Sequence, residues 1–465
     1  MKSLSVLKYN IATLGLLGLV WFGYAQQWSA IFRSTPLFFL LILLAISLGK
    51  RTLPTKRSAA QFSAGITILL TLAMLLLTAV YLPYKIDATI SLGVLSGITA
   101  IVLIFGKMDS LFVNMLAGVR SSLVNWKSLL LNTLILAGSA ALLYHLYTHG
   151  TLGSIRTPWK FIDQPLFFGV LALVAMLAWL VAWKKNIEIR PLALSALLLV
   201  IISAGLLIFK VGYGFDPFVH RATEQHIFNN GLITPKPLWY LGQHTLVVAL
   251  SHLTGLGINL IDKLLLPALA ALLIPGWLYA MAPQSWHKRL LLLLLLPIIS
   301  WFVATTPQGI ANLLFLILIL QLPLLHKKQL PLWVVLITAA ATATLHPVAA
   351  AAAALLLLFS ELSRAGLRRR WQALSIAAAS TLLPALFFAN EWRATGVFPS
   401  LSDFANRLAE RITFPEDFSF LTNSYYALAN STYTLRIIML TTAAAFTIYG
   451  IKELRKRSLF TPYLS

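Results

Sequence analysis

The chain has 465 residues, of which 59% are hydrophobic and only 11% are charged, and its mean hydropathy is +0.82. Soluble domains carry about 25% charged residues, so this composition excludes an ordinary soluble protein and indicates a polytopic membrane protein in lipid. The net charge of +22 does not indicate nucleic-acid binding, because the Lys and Arg residues lie in short loops between apolar runs. The absence of cysteine excludes disulfides, iron–sulfur clusters and thiol nucleophiles.

Hydropathy predicts an all-α fold with about fourteen transmembrane helices, each needing about 20 residues to cross the bilayer. The predicted spans are 9–25, 35–49, 62–82, 88–106, 128–147, 166–183, 191–211, 259–282, 290–305, 309–325, 331–345, 348–361, 372–390 and 434–451. The first is interpreted as an uncleaved helix, since no signal-peptide cleavage site follows it. Basic loops on alternate sides place both termini in the cytoplasm, and the expected location is the plasma membrane, the inner membrane of a bacterium.

The predicted sides of the flanking loops decide how the run 238–254 is interpreted, because an odd number of spans must separate loops on opposite sides of the membrane. The basic segment that begins at His287 is expected in the cytoplasm, so only one of the runs 238–254 and 259–282 can cross the membrane. The first is shorter and contains Gln243 and His244. It is therefore predicted to be an amphipathic helix lying in the outer interface.

A break near residue 190 divides the predicted chain into two modules. Residues 1–190 form an N-terminal bundle of about six transmembrane helices. Residues 191–465 form a second module with an outer loop at 212–258 and a late outer loop at 391–433. The polar residues that could carry chemistry begin only in the second module.

The outer loop contains a periodic set of ionisable residues. Asp216 is followed by Pro217, which predicts a helix start, and Asp216, His220 and Glu224 then recur at intervals of four. Side chains at this spacing lie on one helix face. They can bind a divalent cation, or position an acid and a base beside an anionic substrate. Alternatively, Asp216 only caps the helix, Glu224 only pairs with Arg221, and His220 is solvated at the interface.

The same stretch contains recognisable motifs. They are Phe215-Asp216-Pro217, His220-Arg221-Ala222-Thr223, Phe228-Asn229-Asn230-Gly231 and Lys236-Pro237-Leu238-Trp239-Tyr240. The first three resemble the first outer loop of oligosaccharyltransferase catalytic subunits, and the last resembles related lipid-linked sugar transferases. Together they are similar to the GT-C class of polyprenyl-phosphate-dependent glycosyltransferases, closely over about 45 residues and more loosely over 191–451.

This resemblance implies a sugar transfer from a polyprenyl phosphate or diphosphate donor to an acceptor glycan, lipid or protein on the outer face, with inversion. Asp216 would lie at the catalytic centre, assisted by His220 and Glu224. A divalent cation, Mg²⁺ or Mn²⁺, would be held by the same three residues. The predicted substrate-binding residues are Arg221, Lys236, Tyr240, His244, His346 and Arg393.

Two of these candidates have equally simple structural interpretations. His346 precedes Pro347 in a turn and can face interfacial water without binding anything. Arg393 can bind a phosphate through two N–H groups, or it can anchor a helix end at the membrane interface.

The sequence also departs from the class it resembles. The turn at 305–309 has no acidic residue where a second acidic motif is expected, and the Trp-Trp-Asp motif of oligosaccharyltransferases is absent. These departures argue against protein N-glycosylation and against a metal held by two outer loops. A transporter or flippase of a lipid-linked or small polar solute is the alternative function, and the loop 391–433 favours a polymerase or ligase of lipid-linked glycans.

Overall fold

The computed structural model describes most of the first 364 residues, in the segments 2–55, 58–105, 126–153, 161–183, 191–212, 216–236, 239–281 and 302–364. In these segments the chain is helical and forms no β-strand; one isolated bridge pairs Thr151 with Phe209. The helices are α1 (Lys2–Ala25), α2 (Ala30–Thr52), α3 (Ser58–Tyr81), α4 (Ala88–Phe105), α5 (Trp126–Thr148), α6 (Gln164–Trp183), α7 (Pro191–Ile208), α8 (Asp216–Asn230), α9 (Leu241–Thr254), α10 (Ile258–Met281), α11 (Pro307–His326), α12 (Leu332–Leu345) and α13 (Pro347–Arg364).

The prediction of an all-helical membrane protein is confirmed. Seven of the described helices, α2, α3, α4, α5, α7, α10 and α11, are long and apolar enough to cross a membrane. The predicted spans 372–390 and 434–451, and residues 290–301 of the span 290–305, lie outside the described residues, so the total of about fourteen stays a prediction.

The chain forms two compact units. The first comprises Met1–Leu292 and Ile298–Ala350, and the second comprises Leu293–Pro297 and Ala351–Ser465. Helices α1 to α12 belong to the first unit, which also contains every described candidate site residue. The predicted functional boundary near residue 190 stays a prediction.

Helix α3 lies at the centre of the first unit and packs against α2, α4, α9, α10 and α12. Its contact with α2 is close because two glycines face backbone: a Cβ on Gly49 or on Gly65 would lie 1.7 Å from a carbonyl oxygen of the other helix. Small residues bring membrane helices together in this way. On the α10 side, the Trp277 indole donates a 2.9 Å hydrogen bond to the Thr67 hydroxyl.

Helix α9 is where the structure corrects the sequence-based fold. Of its 14 residues, 11 are buried, and it packs against α2, α3, α4, α8 and α10 to α12. The prediction of an amphipathic helix in the outer interface is therefore wrong. The polar side chains Gln243 and His244 suggested contact with water, but they find partners inside the protein. At about 21 Å, α9 is too short to cross the bilayer alone.

Candidate functional site

The candidate site lies at one end of the first unit, where the segment 216–263 meets the ends of several spans. The Ile86 amide donates to the Gly231 carbonyl at 2.8 Å, which joins the end of α8 to the loop before α4. At the other end of that segment, the Lys263 ammonium donates to the Phe209 and Lys210 carbonyls at 2.9 and 3.2 Å and closes the end of α7. The first contact fixes the end of α8, and the second joins the start of α10 to the end of α7.

Helix α8 begins at Asp216, as predicted, and its three regularly spaced ionisable residues lie at increasing depth in the protein. Asp216 is exposed, His220 is half-buried and Glu224 is completely buried. Eight residues span about 12 Å along a helix axis, so Asp216 and Glu224 lie in different environments. Asp216 acts electrostatically on His220, whereas Glu224 contacts groups on α9 and α10.

Glu224 belongs to a buried carboxyl cluster, defined as Arg221, Glu224, Gln243 and Asp262. The Gln243 amide nitrogen donates to Glu224 Oε1 at 2.8 Å and to Asp262 Oδ1 at 3.4 Å. Arg221 Nε donates to Asp262 Oδ2 at 3.0 Å in a salt bridge, and its Nη1 donates to the Val211 carbonyl at 2.8 Å. The cluster thereby connects α8, α9 and the first turns of α10.

The environment of Glu224 favours its neutral form. Burial raises the pKa of the Glu224 carboxyl well above its ordinary value, and the nearby Asp262 charge raises it further. The Gln243 hydrogen bond and the Arg221 charge oppose these effects without cancelling them.

A second group of side chains converges beside the carboxyl cluster. This histidine–tyrosine cluster contains His220 from α8, Tyr240 and His244 from the start of α9, and His346 from the turn after α12. His220 Nδ1 and His244 Nε2 lie 3.3 Å apart, within hydrogen-bonding distance. The Tyr240 ring lies 5.3 Å from the His220 ring and 6.0 Å from the His346 ring. Sequence analysis named all four residues as candidates, and the structure brings them together.

Burial keeps these imidazoles neutral. It lowers the pKa of His220, with the Asp216 charge offsetting part of the effect, and it lowers the pKa of His346. It lowers the pKa of His244 to about 3, with help from His220. A neutral imidazole has one donor and one acceptor nitrogen, so the pair can hold one tautomer in place for a hydrogen bond to a bound substrate.

Tyr240 has a strained backbone at the centre of this cluster. Its φ of 70° lies in the left-handed region that few non-glycine residues adopt. Such residues are found preferentially at functional sites, where the surrounding structure holds them. In this conformation the phenol ring lies 5.3, 6.4 and 6.0 Å from the rings of His220, His244 and His346.

One predicted substrate-binding cation, Lys236, does not join the cluster. The three N–H donors of Lys236 already face the carbonyls of Tyr81, Leu82 and Tyr84, so this side chain caps the end of α3 and we leave it out of the site. Arg393, together with the loop 391–433, lies outside the described residues.

Sequence reasoning gave no site role to Asp262, Gln243 or Lys263. A signal for the first was present: an Asp in the first turns of an apolar span is an ionisable group that must find a partner at the bundle end. Its partner Arg221 is 41 positions away in the sequence, so the pairing itself follows only from the tertiary structure.

The structure offers little support for the predicted divalent cation. Among the described residues, no three His, Cys, Asp or Glu side chains come together as a set that could hold a metal ion. Asp216 is exposed and Glu224 is turned into the carboxyl cluster, so the predicted ligands Asp216, His220 and Glu224 do not fit a shared ion in this arrangement.

Comparison of the chain with protein-family models, with curated proteins and with solved structures finds no match. The functional interpretation therefore rests on the site itself and on the sequence resemblance in its outer loop.

Proposed function

We propose that this protein is an integral membrane glycosyltransferase that moves a sugar from a polyprenyl phosphate or diphosphate donor to an acceptor hydroxyl. The observation that carries this proposal is the convergence of His220, Tyr240, His244 and His346 from three separate parts of the chain, next to the exposed Asp216. Neutral imidazoles and an aromatic ring beside an available carboxylate suit a sugar phosphate.

In the proposed reaction Asp216 is the general base. Its carboxylate accepts the proton of the acceptor hydroxyl, and the hydroxyl oxygen attacks the anomeric carbon. The bond between that carbon and the phosphate oxygen breaks, and its electron pair leaves with the phosphate, which inverts the anomeric carbon. N–H groups of His220 and His346 face the developing phosphate charge. Arg221 contributes its Nη2 edge, which lies beside Gly212.

We also propose that the site faces the outer side of the plasma membrane, with both termini in the cytoplasm. The distribution of charge in the first unit supports this orientation. The site end holds Lys and Arg residues such as Lys85, Lys236 and Lys263 together with Asp87, Asp163, Asp216, Glu224 and Asp262, whereas Arg51 and Lys327 at the opposite end lie beside described loops that contain no acidic residue. Positive charge concentrates on the cytoplasmic side of membrane proteins.

The direct test is binding and turnover of a panel of polyprenyl-phosphate and polyprenyl-diphosphate sugars by the full-length protein in detergent. Asp216→Asn is expected to keep donor binding and to lose about 10²- to 10⁴-fold in turnover, the usual effect of removing a general base. Asp163→Asn is the matched control, because Asp163 is an exposed carboxylate that caps α6 through the Leu166 amide. Full turnover in Asp216→Asn would remove Asp216 from the mechanism.

A proton-coupled transporter of a small polar or lipid-linked solute is the second candidate, and the buried carboxyl cluster is the observation that favours it. Proton-coupled carriers use buried acidic groups that exchange protons. Against this function, Asp262 lies in the first turns of α10 rather than near mid-bilayer, where transporter sites are found. If vesicles containing the protein move protons with a solute and no donor binds, the transporter replaces the transferase.

A further inference from the structure

The carboxyl cluster contains two carboxyl groups but only one cationic side chain, Arg221, which cannot neutralise both if both are ionised. Glu224 and Asp262 are both completely buried, and Arg221 makes its ion pair with Asp262 alone. The nearby ammonium of Lys263 donates to backbone carbonyls at the end of α7 instead of to either carboxyl. A second buried carboxylate without a partner costs several kcal/mol, so such groups take up a proton instead.

The hydrogen bonds indicate where that proton lies. The Gln243 amide nitrogen donates to Glu224 Oε1 at 2.8 Å and to Asp262 Oδ1 at 3.4 Å, so it brings the two carboxyl groups side by side. Two carboxyl groups bond directly only if one of them carries a proton. Arg221 pairs with Asp262 at 3.0 Å and with no oxygen of Glu224, so we place the proton on Glu224. Glu224 Oε2 and Gln243 Oε1 are buried and accept no hydrogen bond from the protein. Both oxygens are therefore available to a proton in the cluster.

We propose that Glu224 and Asp262 share a single proton carried on Glu224, and that this proton locks α8 onto α9 and α10. The lock determines the geometry of the histidine–tyrosine cluster. Glu224 lies one helical turn after His220, and Gln243 directly precedes His244, so both histidines are positioned by residues that hold the proton. Loss of the proton places two carboxylates side by side and separates these helices. This lock operates whichever substrate the protein uses.

Other charged and titratable groups surround the cluster. They are His220 and Arg221 on α8, His244 on α9, Lys263 on α10 and Lys210 at the end of α7. The histidines are neutral in the fold, and their protonation destabilises it only on the acid side. Deprotonation of Glu224 acts on the alkaline side, because a carboxyl whose folded pKa is raised contributes stability that is lost as pH rises through that pKa.

Infrared spectroscopy of the full-length protein in detergent tests the lock. We expect a carbonyl band from a protonated carboxyl at about pH 6, and its disappearance as pH rises toward about 9 together with a fall in Tm of about 3 °C or more. Glu224→Gln imitates the protonated state, so it should lose both the band and the alkaline fall in Tm. Asp163→Asn, the exposed-carboxyl control, should keep both.

Three results would overturn the lock. One is the absence of a protonated-carboxyl band across the whole pH range, and another is a band that survives in Glu224→Gln. The third is loss of the band together with a rise in Tm when Na⁺ is added, because the cluster would then bind a metal cation in place of the proton. If Glu224→Gln does not fold, ¹³C labelling of glutamate in the wild-type protein makes the same assignment: the band must shift, and a shift only on aspartate labelling would contradict the role of Glu224.

Discussion

The two ends of the first unit use charge in opposite ways. At the site end, Arg221 and Asp262 are buried and paired with each other, and Lys236 is tied to backbone carbonyls. At the opposite end, Arg51 and Lys327 are exposed, and the described loops there carry charge of a single sign. The charges of Arg221, Asp262 and Lys236 are part of the internal packing, whereas those of Arg51 and Lys327 remain exposed.

This difference has an energetic consequence. A buried charge has given up its hydration, so removing its partner leaves it uncompensated. An exposed charge keeps its hydration, so removing it changes the free energy of unfolding little. Substitutions at the site end should therefore cost stability, whereas those at the basic end should mainly affect orientation in the membrane.

The largest effect is expected for Asp262→Ala. This variant leaves the Arg221 guanidinium in a nearly closed environment, since only 13% of that side chain is exposed. We expect the free energy of unfolding to fall by about 3 kcal/mol, the lower end of the range for breaking a buried pair. Denaturation in detergent measures it, with Arg51→Ala as the control at the opposite end, where the change should stay within about 0.5 kcal/mol. Equal effects at both ends would refute the comparison.

Lys236→Met tests whether the loop after α8 is attached to the unit through its charge. The variant keeps the length of the side chain but leaves the carbonyls of Tyr81, Leu82 and Tyr84 without their donor. A loss of about 1–2 kcal/mol in unfolding free energy is expected, because the group is only partly buried. Lys85→Met is the matched control: the Lys85 ammonium is 3.7 Å from Asp87 and its side chain is 44% exposed, so the substitution should cost little. Similar losses in the two variants would contradict the capping role of Lys236.

His252→Phe tests the acid sensitivity of the site end. The His252 ring stacks on Phe228 at 4.4 Å, and burial lowers its pKa to about 4. A lowered histidine pKa contributes stability that is present above the unfolded pKa and lost as pH falls through about 6.5 toward the folded value. Because the ring is partly exposed, we assign it about 1 kcal/mol between pH 7 and pH 5.

The phenylalanine variant preserves the ring stack and should remove that part of the acid destabilisation. Tm measured at both pH values checks this, with His226→Gln as the control, because His226 is exposed on the other face of α8. If His252→Phe loses as much stability as the wild type on acidification, His252 is not the group responsible.

The helices could be predicted because lipid imposes one strong rule on sequence. A span must satisfy its own backbone and present apolar side chains, so hydropathy alone located α2, α3 and α10 to within a few residues. Helix α9 was misassigned for a physical reason. Hydropathy registers Gln243 as polar, but it cannot show that the partners of Gln243, Glu224 and Asp262, are buried beside it.

The candidate site was also predictable only in part, because sequence shows local spacing but not tertiary packing. The spacing of Asp216, His220 and Glu224 follows from helix periodicity, so their common face was predictable. The separation of their roles was not, because it depends on depth: Asp216 remains at the surface while Glu224 lies inside. Local periodicity indicates which residues face the same way, and only tertiary packing determines which of them reach water.

The smallest predicted effect lies at the basic end and concerns Lys328. Helix α11 ends there with two characteristic hydrogen bonds, from the Lys328 amide to the Leu325 carbonyl at 2.9 Å and from the Gln329 amide to the Leu324 carbonyl at 2.8 Å. In this helix ending the residue at the Lys328 position is usually glycine, because it must adopt the left-handed conformation. Lys328 adopts it with a φ of 56°.

Lys328→Gly should therefore stabilise the fold, by about 0.5 kcal/mol, because the relief of backbone strain exceeds the loss of a favourable charge at the helix end. Lys327→Gly is the matched control: Lys327 has an ordinary φ of −79°, so glycine there should be neutral or destabilising. Denaturation in detergent compares the two variants, and a loss of stability in Lys328→Gly would show that the lysine has a packing role. A gain would mean that the basic end keeps a positive charge at the expense of stability, as expected if its charge serves orientation in the membrane and not the fold.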